Sequence, residues 1–206
     1  VYQGTRFRST GEPVLNLSRD FEQTDQVTSL EQELIAGLDR IHKSRRPRQL
    51  RLDARMASYE LAARMQLEAT DALDIAKETQ ATLDMYGIGE DTTDSYGRRC
   101  LYARRLVERG VRFVELIDTG SSGNWDAHGD MMTHVGLAKN VDQPIAALLK
   151  DLKQRGMLDE TLVVWTTEFG RTPFNNTADA KGREHHPWAF TSWLAGAGVK
   201  KGVVYG

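Results

Sequence analysis

The chain has 206 residues, 40% of them hydrophobic and 27% charged. These are globular proportions that exclude wholesale disorder, and at this size roughly 70% of the unfolded surface is buried on folding. The 27 Lys and Arg stand against 29 Asp and Glu, a formal net charge of -2, which removes the electrostatic basis for a nucleic-acid partner.

A single cysteine, Cys100, rules out an internal disulfide framework and a cysteine-rich zinc site. No apolar run is long enough to cross a bilayer, and the mean hydropathy is -0.50. The start, Val1-Tyr2-Gln3-Gly4, carries no secretory leader, and the end, Gly202-Val203-Val204-Tyr205-Gly206, reads as a strand beginning. Both ends therefore read as cuts through a longer chain, giving one domain truncated at either side.

In chain order, residues 1–26 read as loop with a short strand at Val14–Leu17. Leu30, Leu34, Leu38 and Ile41 lie on one face of a helix over 29–42, with Thr28 and Glu31 as a capping box. Pro47 separates this from a second helix over 48–68, and a shorter helical piece follows at 70–79. After the break at Gly87-Ile88-Gly89, Asp91-Thr92-Thr93-Asp94 caps a helix running to Glu108 and stopped by Gly110.

The second half changes rhythm. Val111–Ile117 is rich in β-branched residues and predicts a strand. Residues 131–155 carry an apolar stripe of Val141, Ile145, Leu148, Leu149 and Leu152, a helix ended by Gly156. Leu162–Trp165 predicts a strand buried on both faces, and Ala189–Leu194 a further strand. This order predicts an α/β fold: a mainly parallel sheet with helices on both faces, residues 111–117 and 161–166 being parallel neighbours joined by a right-handed crossover. Residues 1–110 form the mostly helical part and 111–206 the α/β part.

Reactive side chains collect in three segments placed after predicted strands, where open parallel sheets bind ligands. In Trp125-Asp126-Ala127-His128 the i, i+2 spacing turns Asp126 and His128 to one side of an extended chain, suited to sharing a cation; the alternative is that they bond each other or backbone. In Thr166-Thr167-Glu168-Phe169-Gly170-Arg171-Thr172-Pro173, the Arg171 fork matches sulfate, phosphate or carboxylate, or else ties the loop through Glu168. Gly182-Arg183-Glu184-His185-His186-Pro187 holds two adjacent histidines that cannot both face one metal, hence one ligand and one bystander. His134 reads as a capping or packing residue and Cys100 as an inert helix thiol. Ser121 and Ser122 lack the nucleophile-elbow pattern of a serine hydrolase.

Taken together, Trp125–His128, Val141–Leu149, Leu158–Trp165, Glu168–Pro173 and Gly182–Pro187 resemble the DUF1501 family of sulfatase-like bacterial proteins, as does the opening Val1–Thr5. The resemblance implies an alkaline phosphatase/sulfatase-like α/β/α sandwich, a metal-centred site and an exported, periplasmic parent. It aligns Glu168-Phe169-Gly170 with a ligand-bearing turn that has Asp and a polar second residue in sulfatases. It matches His185 to the His of a Gly-Arg-Asp-His motif, leaving His186 the bystander and Glu184 a departure. The family's nucleophile segment would precede Val1.

The resulting expectation is a metal-dependent hydrolase of sulfate or phosphate esters. Asp126, His128, Glu168 and His185 hold a divalent ion (zinc, manganese, calcium or magnesium), and Arg171 and Arg183 grip a small anionic ester. The alternatives are a metal-dependent phosphomutase and a non-catalytic metal- or anion-binding protein.

Overall fold

The structure, a computed structural model, describes residues 6–8, 23–46, 49–118 and 124–206. The expected strand at Val14–Leu17 and the serines at 121 and 122 lie outside the described residues. The chain divides into two compact units, residues 1–74 and 75–206.

The first unit holds two helices, α1 (Asp25–Ser44) and α2 (Leu50–Leu73). Thr24, not Thr28, caps α1: its hydroxyl accepts from the Val27 amide at 3.4 Å. Thr28 lies inside the helix and donates to the Thr24 carbonyl. Leu30, Leu34, Leu38 and Ile41 do share a face, and that face is 54–63% exposed. α2 runs through the gap expected between two helices and ends at Leu73.

The second unit is built on α3 (Gln80–Met85), α4 (Asp94–Glu108) and α5 (Thr133–Gln154). Both α4 and α5 run out just before a glycine at positive φ, Gly110 (85°) and Gly156 (71°), as the sequence predicts. The two helices pack on each other, and Tyr86, Ile88, Cys100, Leu101 and Ala147 form the core between them and the α3–α4 turn.

An ionic network runs through this packing. Arg104, 1% exposed, pairs with Glu78 at 2.7 Å, Asp151 at 3.0 Å and Glu108 at 2.7 Å. The Tyr86 hydroxyl donates to Asp151, which also pairs with Arg155 at 2.7 Å. Burial raises the Glu78 carboxyl, but the Arg104 and Arg105 guanidinium groups outweigh it and hold the group below the usual carboxylate range.

The expected α/β fold with a mainly parallel sheet is overturned. The described strands form two antiparallel pairs. β1 (Val163–Trp165) pairs with β4 (Trp193–Ala195), and β2 (Gly170–Arg171) pairs with β3 (His185–His186). They nest, the inner pair lying within the loop that connects the outer pair. Parallel pairing needs a crossover, usually helical; residues 166–192 hold no helix and fold back instead.

β1 is half-exposed rather than buried on both faces, with Val164 51% and Trp165 41% accessible. Residues 111–117 are not a strand. The Val111 amide closes α4 on the Leu106 carbonyl, the Ile117 carbonyl accepts from Arg99, and Phe113 is 81% exposed. A strand needs a ladder partner, which β-propensity alone does not supply. α5 therefore packs on α4 and is not the crossover between parallel strands.

Candidate metal centre

With the parallel sheet gone, so is the expectation that the donors meet at carboxyl ends of its strands. Another device brings them together. The loop carrying Asp126 and His128 is zipped by backbone hydrogen bonds to the loop preceding His185. The Arg183 amide donates to the Ala127 carbonyl at 3.1 Å, Lys181 to Gly129 at 3.0 Å, and Met131 to Lys181 at 3.3 Å. Asn175 Nδ2 adds a bond to the His128 carbonyl at 2.8 Å. Gly182 permits this approach, because a Cβ there would stand 2.0 Å from the His128 carbonyl oxygen.

The near side of the loop is braced by Trp125. Its indole donates to Asp118 at 2.7 Å, and the His134 ring packs edge-on against it at 5.2 Å while bonding the Trp125 carbonyl. His134 is thus a packing residue, as its position predicts.

The inner antiparallel pair fixes the other side. Arg171 lies directly opposite His185, and Gly170 opposite His186. Adjacent residues of a strand face opposite ways. His185 joins the Asp126 cluster, whereas His186 turns its Nδ1 into a buried position without a hydrogen-bond partner among the described residues. Gly170 is required here too, since a Cβ would lie 1.8 Å from the Ala189 carbonyl oxygen. Phe169 packs on the His185 ring with centroids 4.1 Å apart.

Three side-chain atoms then form a nearly equilateral triangle. Asp126 Oδ1 lies 2.8 Å from His185 Nε2 and 3.0 Å from His128 Nε2, and the two nitrogens are 3.1 Å apart. These are the three described residues whose ligating atoms lie within 4.8 Å of one another. Arg171 donates to the same Asp126 oxygen and to the Trp125 and Arg183 carbonyls. His128 Nδ1, on the far side of its ring, is 3.1 Å from Glu184 Oε2.

Hydrogen bonds from His185 and Arg171 hold the Asp126 carboxyl far below the usual carboxylate range. It is an anion at any physiological pH although 57% of its side chain is exposed.

The structure treats the six expected site residues differently. Asp126, His128 and His185 converge. Glu168 is outside the triangle; its own amide and the Thr167 hydroxyl hold its carboxyl below the ordinary range. Arg171 has its guanidinium engaged with Asp126 and two carbonyls rather than paired with Glu168. Arg183 is exposed next to Glu184. An open groove lined by Phe113, Leu148 and Trp165 runs past Asp126, Glu168 and Arg171.

Three contributors went unread in the sequence: Gly182, Phe169 and Glu184. Gly182 and Phe169 act through tertiary contacts that leave no local pattern. Glu184 had one visible signal, a carboxylate directly preceding a ligand-type His.

Among the described residues no helix is long and apolar enough to cross a membrane. No curated protein and no solved structure matches the chain. A family model does match it along its whole length, residues 1–206, and its description is "protein of unknown function (DUF1501)". The chain belongs to the DUF1501 family.

Proposed function

We propose that this chain holds a divalent metal ion through Asp126, His128 and His185 and serves as a metal-dependent hydrolase of sulfate or phosphate esters, in keeping with its likeness to sulfatases in short motifs. The observation that carries the metal reading is the donor triangle. Donors about 2.1 Å from one ion and at right angles to each other are about 3.0 Å apart; the observed edges are 2.8, 3.0 and 3.1 Å. Two imidazoles and one carboxylate suit zinc, manganese or iron better than calcium or magnesium, whose sites are built from oxygens.

When bound, such an ion polarises an ester oxygen and makes a water molecule more acidic. The chain's own residues do the rest. Arg171 fixes Asp126 in one orientation and keeps it ionised. Phe169 lies against the His185 ring and limits its rotation. Arg183, exposed and two residues before His185, offers a guanidinium to the anionic ester, and Glu168 supplies a carboxylate on the groove wall.

The test is equilibrium dialysis of the full chain with Zn²⁺, Mn²⁺ and Ca²⁺, followed by a screen of aryl sulfates and aryl phosphates with the ion that binds. One equivalent of Zn²⁺ or Mn²⁺, lost in His185→Ala, is the expected result. A wild-type chain that retains neither ion refutes the metal reading. The resemblance places the nucleophile segment before Val1, so turnover is expected of a longer chain that includes it; such a chain that binds metal and turns over no ester refutes the hydrolase reading.

A further inference from the structure

Val27, Leu30, Leu34, Leu38 and Ile41 follow one another along α1 at spacings of three, four, four and three, which holds them in one stripe of a helix with 3.6 residues per turn. They are 46–63% exposed. A surface helix ordinarily turns such a stripe onto a core, and a contiguous apolar stripe left in water marks an interaction surface.

The stripe is palindromic: its spacing is the same read from either end, with Leu34 at the midpoint. Two copies of α1 related by a two-fold axis at Leu34 therefore set Val27 opposite Ile41, Leu30 opposite Leu38 and Leu34 opposite itself. That is the self-complementary contact a symmetric pair requires.

Charge selects the antiparallel arrangement. From Asp25 to Leu34 the helix carries Asp25, Glu31 and Glu33 and no basic residue. From Arg40 to Ser44 it carries Arg40, His42 and Lys43 and no acidic one, Lys43 being shared with Asp53 of α2 at 2.7 Å. Antiparallel pairing sets the acidic end of each copy against the basic end of the other. Glu31 and Glu33 lie on opposite flanks of the stripe, and a parallel pair in register would bring those flanks, and so like charges, together. Charges flanking an apolar seam decide its orientation. The charge asymmetry also suits the dipole of α1 itself; the palindrome of apolar positions does not follow from that dipole.

We propose that a second copy of this chain covers the α1 stripe, as an antiparallel helix pair centred on Leu34. The pair is independent of the metal site.

Sedimentation velocity of the full chain between about 5 and 500 μM reads its mass. The wild type should pass from one copy to two over that range. Leu34→Glu sets two carboxylates against each other at the two-fold axis and should remain a single copy throughout. Leu34 is 63% exposed, so the variant keeps its fold, which circular dichroism checks. Tyr59→Glu, at a comparably exposed position on α2, should dimerise as the wild type does. Disulfide trapping reads the orientation. Oxidising a mixture of Val27→Cys and Ile41→Cys chains should link one of each, while either alone should stay unlinked; Cys100 is fully buried and does not compete.

A wild type that remains a single copy overturns the proposal. So does a dimer that Leu34→Glu leaves unchanged, or one that Tyr59→Glu dissolves equally. Trapping of Val27→Cys with itself shows a parallel pair and overturns it as well.

Discussion

Replacing Gly182 with Ala attacks the loop zipper while leaving every ligand in place. The new Cβ would stand 2.0 Å from the His128 carbonyl oxygen, 2.1 Å from its carbon and 2.4 Å from the Ala127 carbonyl oxygen. All are backbone atoms, so no side chain can rotate away. Restoring an ordinary contact of about 3.5 Å means the two loops part by more than an ångström.

That separation breaks the Arg183–Ala127, Lys181–Gly129 and Met131–Lys181 bonds. At about 0.5–1.5 kcal/mol net for each bond, the change should destabilise the folded chain by about 2–4 kcal/mol. It also spreads a triangle whose edges are about 3 Å, so Zn²⁺ affinity should fall by more than the roughly 100-fold upper range of an outer-shell loss. Urea unfolding and calorimetric Zn²⁺ titration measure the two effects. Gly136→Ala is the control: it lies within α5 with nothing inside 4 Å of its Cβ, so it should gain up to about 1 kcal/mol from reduced chain entropy. If Gly182→Ala matches the wild type in both stability and Zn²⁺ affinity, the zipper does not organise the site.

Three other outcomes follow from the same structure. Arg104→Met removes the cation between Glu78 and Asp151 and leaves buried carboxylates short of a partner, so urea unfolding should show a loss of about 3–5 kcal/mol. Cys100 is fully buried and burial pushes its thiol up to about 12, so alkylation at neutral pH should track global unfolding; fast labelling of the native chain would contradict this. The depressed Asp126 carboxyl contributes stability that is present above its unfolded value near 3.9 and is lost as pH falls through the lower folded value. Carboxyl ¹³C NMR should therefore show Asp126 titrating below the other aspartates in the wild type and moving up in Arg171→Met.

Helices were the legible part of this sequence, because their signals are local. Gly110 and Gly156 mark the ends of α4 and α5, and the apolar stripe of α5 is visible in a single window. Asp126 and His128 were legible as donors by residue type and spacing, and His185 was separated from His186 only by the family resemblance. The sheet was not. Val111–Ile117 has strand composition, but a strand exists only when another segment offers its backbone, and the composition carries no record of the partner. For the same reason Leu162–Trp165 announced a strand without announcing that Trp193–Ala195 would meet it antiparallel.

The site divides along the same line. The sequence supplied two imidazoles and a carboxylate. Only the tertiary structure decided that Glu168 stays outside their triangle, that Arg171 braces Asp126, and that Glu184 faces His128. These are distances between residues as far as 59 positions apart, and they are set by backbone bonds and by the missing Cβ atoms of Gly170 and Gly182. Chemistry of that kind is written residue by residue, but its geometry comes from which loops the fold allows to touch.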